Sequence, residues 1–189
     1  MRIDILPVGF LKTNCYIVSD SLSGAAVIDP GDEPKKILAF LRENRLNCLA
    51  VLITHGHFDH VGGVSELVRA SGAELVMNPL DAGSVRRKID RQAEDHCVIE
   101  AGELRFTTLA TPGHSPGSVC YLIEEALFSG DTLFYESVGR TDLPGGDGEA
   151  LKSSLDKLFT LDRADLRVLP GHMRETTLKH ERKYNPFIK

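Results

Sequence analysis

Leu52-Ile53-Thr54-His55-Gly56-His57-Phe58-Asp59-His60-Val61-Gly62-Gly63 holds three of the chain's seven histidines and an aspartate, directly behind the apolar run Cys48–Ile53. If the extended chain continues through Thr54–His57, the side chains of His55 and His57 fall on one side, because strand residues two apart share a face. Gly56 between them carries no side chain where the backbone has to bend. Asp59 and His60 are adjacent, so they cannot both join that first face and should address a neighbouring point. Two ligand pairs at one strand end suggest two metal ions. The bland alternative is a polar loop of solvated histidines.

The same punctuation recurs outward from this stretch. Arg2–Val8, Asn14–Ser19 and Ala25–Ile28 read as strands, the third stopping at the turn cluster Asp29-Pro30-Gly31-Asp32. A helix over Pro34–Arg45 follows, with proline in its first turn and Ile37, Leu38 and Leu41 on one face. After the strand Cys48–Ile53, a helix over Val64–Ala70 and a strand over Glu74–Met77 are expected. Asn78–Glu94 is hard to assign. Its Arg86-Arg87-Lys88 run reads as a solvated face, with contact to an anionic substrate as the alternative. Cys97–Ala101 and Leu104–Ala110 are strands, the second ending in Thr111-Pro112-Gly113-His114. Ser118–Ile123 and Ala126–Ser129 read as a hairpin ending in Gly130-Asp131. A glycine-rich loop, Gly139–Gly148, leads to a helix over Glu149–Phe159. The last strand, Leu166–Leu169, ends in Pro170-Gly171-His172, before a final helix over about Thr176–Tyr184.

Apolar strands thus end in Thr-His-Gly-His, Pro-Gly-His, Ser-Gly-Asp and Pro-Gly-His. His55, His57, Asp59, His60, His114, Asp131 and His172 all sit just beyond strand ends, the edge at which layered α/β folds build sites. An all-nitrogen and oxygen donor set without cysteine suits zinc, with iron or manganese also fitting. Asp131 stands alone on its strand end and is the natural carboxylate to lie between two metals. His96 and His180 fall outside these motifs and read as surface residues.

With 189 residues, 42% hydrophobic and 26% charged, the chain fits one ordinary globular domain. Its formal net charge of −5 argues against a nucleic-acid partner, which requires a basic surface. Two divalent cations would offset most of that charge. Cys15, Cys48, Cys97 and Cys120 are widely spaced and form no C-x-x-C motif, so they read as small apolar residues in a reducing cytoplasm. The opening Met1-Arg2-Ile3-Asp4 has no signal-like apolar segment, and no apolar run approaches transmembrane length, so no membrane association is expected.

The ordered set Thr-His-Gly-His-Phe-Asp-His, Thr-Pro-Gly-His, Ser-Gly-Asp and Pro-Gly-His resembles the metallo-β-lactamase superfamily, over nearly the whole chain from Asn14-Cys15-Tyr16 to Asn185-Pro186-Phe187. Within it the chain is most similar to short glyoxalase II-like, hydroxyacylglutathione hydrolase-like proteins. The resemblance implies an αββα sandwich: two facing mixed sheets with helices outside and metals at one edge. It implies that His55, His57 and His114 hold one metal, that Asp59, His60 and His172 hold the second, and that Asp131 and a hydroxide bridge them. Asp29 would support a ligand from behind. Gly139-Arg140-Thr141-Asp142-Leu143-Pro144-Gly145-Gly146 is similar to a loop of the same subgroup, in which Arg140 and Asp142 either close the loop as an ion pair or touch substrate. Full-length glyoxalase II adds a C-terminal helical domain with glutathione contacts, which a chain closing at Lys189 is expected to lack. Aspartate at 131 departs from lactamases that place a cysteine ligand there.

The implied activity is hydrolysis of an acyl thioester such as S-lactoylglutathione, with Asp59 and Asp131 as catalytic carboxylates. One rival within the superfamily is an Fe(II)-dependent persulfide dioxygenase using two histidines and a carboxylate. A non-catalytic metal module is the other, disfavoured because structural zinc sites are closed and usually rich in cysteine.

Overall fold

In the computed structural model, which describes residues 1–188, the first half of the chain builds one sheet. Its strands β1 (Arg2–Val8), β2 (Thr13–Ser19), β3 (Gly24–Ile28), β4 (Asn47–Leu52), β5 (Glu74–Met77) and β6 (Arg91–Gln92) lie side by side in that order. β1, β2 and β3 pair antiparallel, and from β3 to β6 the pairing is parallel. The parallel steps need crossovers, supplied by α1 (Pro34–Glu43) between β3 and β4 and by α2 (Phe58–Val61) and α3 (Val64–Ser71) between β4 and β5.

The second half builds the facing sheet from β7 (Val98–Ala101), β8 (Leu104–Ala110), β9 (Val119–Ile123) and β10 (Ala126–Gly130). A two-stranded hairpin, β11 (Leu133–Phe134) with β12 (Ser137–Val138), leads to α4 (Gly148–Phe159), β13 (Arg167–Pro170), β14 (Thr176–Thr177) and α5 (Leu178–Tyr184). The sheet order is β14-β13-β10-β9-β8-β7, and β10 with β13 is its parallel pair.

Strand alternation sets the layers. On β2, Tyr16 and Val18 join Ala26, Ile28, Ala50 and Leu52 against Phe106, Tyr121 and Phe128 of the second sheet. Cys15 and Ile17 point the other way, with Val27, Val51 and Ile53, onto Ile37 and Leu41 of α1 and Leu67 and Val68 of α3. Leu109, Cys120, Leu127 and Val168 cover the outer face of the second sheet beneath Leu151, Leu155 and Leu158 of α4 and Leu178 of α5. The result is the αββα sandwich. α4 is capped by Asp147, whose side chain accepts from the N–H groups of Glu149 and Ala150.

β3 and β4 run in one direction, and β8, β10 and β13 share a direction in the facing sheet. The C-terminal ends of all five meet at one edge. Two buried tyrosines lock the sheets together there. Tyr16 of the first sheet donates its hydroxyl to the Pro170 carbonyl of the second at 2.7 Å, and Tyr121 donates back to the Ile53 carbonyl at 2.9 Å. Burial raises both phenol pKa values, so both remain donors. Backbone bonds Val119 N–H to Thr54 O and Asn14 N–H to Gly171 O, both 2.8 Å, complete the seam.

The structure differs from the sequence reading in places. The helix from Pro34 ends at Glu43, because Arg45 takes φ 57°. Thr176–Thr177 pairs with Arg167–Val168 as strand, so the last helix begins at Leu178. Asp59 and His60 ride on the short helix α2, and Asn78–Glu94 contains a 3₁₀ turn, Pro79–Ser84, and the edge strand β6. Arg86, Arg87 and Lys88 are solvated. His96 is exposed as expected, whereas His180 is half-buried, stacked on Tyr135 and hydrogen-bonded to Glu136. Among the described residues no helix is long and apolar enough to cross a membrane.

Candidate metal centre

His55 and His57 leave β4 and meet His114, which leaves β8, with ring centroids 4.5–4.7 Å apart. The tautomers follow from what stands behind each ring. His114 Nδ1 lies 2.7 Å from the Arg140 carbonyl, which can only accept, so Nδ1 carries the proton and Nε2 the lone pair. Thr54 gives its hydroxyl proton to Asp29 Oδ2 at 2.6 Å, so toward His55 Nδ1, 3.1 Å away, it can only accept. His55 Nε2 is therefore free to coordinate as well.

Asp59 and His60, on α2, meet His172, on the turn after β13. His172 Nε2 is 3.1 Å from Asp59 Oδ2, and His60 Nε2 is 3.6 Å from the same oxygen. Behind them, Asp29 Oδ2 takes His60 Nδ1 at 2.9 Å, and Thr13 donates to Asp59 at 3.0 Å. Asp131 lies between the two triads. Its Oδ1 is 3.5 Å from His60 Nε2, and its Oδ2 is 3.6 Å from both His114 Nε2 and His172 Nε2.

All seven residues singled out in the sequence converge. They form three overlapping groups whose ligand atoms lie within 4.8 Å of one another: His55, His57, His114; His55, His60, Asp131; and Asp59, His60, His172. His55 Nε2, His60 Nε2, His114 Nε2 and Asp131 Oδ1 are buried without any hydrogen-bond partner. Buried polar atoms are rarely left unpaired, and four aimed at one space fit cations rather than water. The groupings suit a dinuclear metal site.

The two triads differ electrostatically. Burial, reinforced by the neighbouring imidazoles, lowers the pKa of His55 and of His57. For His60 burial pulls down, but the carboxylates of Asp131, Asp29 and Asp59 outweigh it and raise the pKa to about 9. Asp59 is held below the usual carboxylate range, because the His172 and Thr13 hydrogen bonds and the His60 charge overcome its desolvation. Metal binding requires a neutral His60, so uptake there displaces a proton.

Several supporting contacts carry no signal in the sequence. Asp81, in the 3₁₀ turn, accepts from Gly56 N–H at 2.8 Å, the Ser115 hydroxyl at 2.6 Å and Gly117 N–H at 2.9 Å. It therefore ties the His55–His57 loop of one sheet to the His114 loop of the other. The Asn14 amide donates to the carbonyls of Pro170 at 3.0 Å and Met173 at 2.9 Å, bracketing His172. A Cβ added at Gly171 would stand 2.4 Å from Asp131 Oδ1 and 2.6 Å from His60 Cε1, so glycine there is a condition of the site's compactness. The Asp29 expectation holds, and the residue supports both triads from φ 50°. Arg140 and Asp142 form an ion pair, bidentate at 2.6 Å, the first of the two alternatives.

Residues 8–172 match the model of the metallo-β-lactamase superfamily. The chain belongs to that superfamily. Among metallo-β-lactamase relatives, the hydroxyacylglutathione hydrolase GloC of Haemophilus influenzae is 35% identical, covering 100% of this chain and 98% of the relative. The crystal structure of the B3 metallo-β-lactamase BLEG-1 superposes with a TM-score of 0.92 at 32% identity, covering 100% of both chains. That of TTHA1623 in a di-iron-bound form superposes with a TM-score of 0.89 at 39% identity, covering 97% of this chain and 99% of the other. Membership in this metallo-hydrolase superfamily accounts for both the sandwich and the edge on which the ligands meet.

Proposed function

We propose that the protein hydrolyses acyl thioesters of the S-lactoylglutathione type. The observation that carries this reading is the full seven-ligand set with Asp131 between two triads, together with full-length similarity to GloC. Two divalent ions, zinc in our reading and iron or manganese by the same donor set, would be held by His55, His57 and His114 and by Asp59, His60 and His172, with Asp131 between them, and would supply an activated water and a Lewis acid. The chain's own part is orientation. Backbone, Thr54 and Asp29 fix three imidazoles with Nε2 forward. Asp59, kept ionised by His172 and Thr13, accepts a hydrogen bond from the attacking water and aims it at the carbonyl carbon. The water oxygen forms a bond to the carbonyl carbon as the carbon–sulfur bond breaks, releasing a carboxylate and a thiolate while the water's two protons pass to solvent; the thiolate is stable enough to depart without a strong general acid. We read the substrate as a small molecule, not nucleic acid or membrane, and the compartment as the cytoplasm, where four unpaired cysteines would stay reduced.

The test is thiol release from S-lactoylglutathione by metal-replete protein under argon and under air, with oxygen uptake on glutathione persulfide and hydrolysis of a β-lactam measured alongside. Equal thiol release with and without oxygen is expected. Oxygen consumption with persulfide, or β-lactam turnover, in the absence of thioester cleavage would overturn the reading.

A further inference from the structure

The metal-ligand cluster forms the floor of a cleft of about 800 Å³. Its walls are Leu11, Phe58, Phe134, Val138, Leu143 and Met173, contributed by five separate segments. Three of these are strongly exposed: Phe58 at 75%, Met173 at 59% and Leu11 at 46%. Isolated exposed apolar side chains are ordinary, but several converging on one opening mark a binding surface. Met173 is held at φ 68°, a conformation costly for any residue with a side chain, and the Asn14 amide pins its carbonyl there.

The polar side of the cleft is sparse. Apart from the metal-ligand histidines, Arg140 is the one basic residue among the described lining residues, and its charge is already paired with Asp142 through Nε and Nη2. Ser137 is the one hydroxyl on the lining. A tripeptide thiol bearing two carboxylates would find a single guanidinium whose charge Asp142 already offsets, and a hydroxyacyl group would meet mostly carbon.

We infer that this cleft selects thioesters with an apolar acyl group on an uncharged thiol carrier. The inference rests on the thioesterase reading above and ranks its substrates: S-lactoylglutathione is cleaved, but less efficiently than a thioester with an apolar acyl group on an uncharged carrier. The acyl chain lies along Leu11, Phe58 and Met173, with its carbonyl at the metal-ligand floor. Burial of one methylene in a fully closed pocket is worth about fourfold in kcat/KM, so this open-sided cleft should give about two- to fourfold per methylene.

The experiment uses the full-length, metal-loaded protein and a series of N-acetylcysteamine thioesters: acetyl, butanoyl, hexanoyl and lactoyl. We expect kcat/KM to climb about two- to fourfold per methylene, with the lactoyl thioester below the butanoyl one. Leu11→Ser and Phe58→Ser, both at exposed positions, should flatten that slope. A second measurement needs no turnover: the S-hexyl thioether of the same carrier should bind metal-free protein tighter than the S-methyl one. A flat or falling series with the lactoyl ester cleaved best, or equal binding of the two thioethers, overturns the inference and leaves the thioesterase reading standing. No cleavage of any thioester overturns both.

Discussion

The two triads sit side by side yet are prepared for a cation in opposite ways. His55, His57 and His114 form a cluster of imidazoles without a carboxylate of its own, in which burial and the neighbouring imidazoles disfavour the charged forms of His55 and His57. Asp59, His60 and His172 pair acid with base and carry their own compensation. Neutral imidazoles offer lone pairs at once, whereas the paired triad must first give up protons. The first triad is therefore a preformed nitrogen site, and the second becomes one only in competition with its own ion pairs.

Removing the residue the triads share should have the largest effect. Asp131→Ala takes a ligand from both, and His172→Ala from one. We expect Asp131→Ala to lose both metals on dialysis and to cost more activity than the about 100-fold associated with losing an outer partner of a ligand. His172→Ala should keep one metal per chain. Metal-to-protein ratios and thiol-release rates decide; equal losses in the two variants would break the idea of a shared carboxylate.

The supports behind the triads sharpen the comparison. Asp29 reaches His60 directly and His55 through Thr54, so Asp29→Ala should weaken both metal steps by about 10–100-fold. Asp81 touches only the first triad's loops, and Asp81→Ala should cost about tenfold in the first binding constant alone. Chelator-competition titrations that resolve the two steps provide the check. An Asp81 variant that weakens both steps alike would show that the triads are not separately held.

These supports also mark where the sequence stops being legible. The ligands announce themselves because each follows an apolar strand and a glycine- or proline-bearing turn, and that local grammar survives without knowledge of the fold. The layer order is legible too, since Tyr16 and Val18 alternate with Cys15 and Ile17 along one strand. Asp81 is invisible because its partners Gly56, Ser115 and Gly117 are distant in sequence and offer mostly backbone N–H groups, which carry no residue signature. The Tyr16 and Tyr121 locks are hidden for the same reason: each ends on a backbone carbonyl of the opposite sheet. Phe58-Asp59-His60-Val61 is too short for helical periodicity to show, and its helix is fixed by contact. Gly31 admits the Asp59 carbonyl where a Cβ would stand 1.5 Å away.

The smallest expected effect tests the electrostatic contrast itself, in metal-free protein. His60 has a folded-state pKa of about 9, above the about 6.5 of an unfolded histidine. The folded state then holds a proton that the unfolded chain releases, so this stabilisation is full below about pH 6.5 and is lost as the pH rises through about 9. His55 works in the other sense. Its pKa is lowered by burial, so the unfolded chain takes up the proton first, and stability falls as the pH drops below about 6.5. Chelated protein should accordingly melt highest near pH 6.5 and a few degrees lower at pH 9.5. Bound cations would hold His60 deprotonated throughout, so saturating metal should flatten the alkaline limb. Thermal melts across that range, with and without metal, read this out directly. An alkaline limb that is flat without metal, or equally steep with it, would mean that the second triad is not held by its own ion pairs, and the contrast between the two halves would fail.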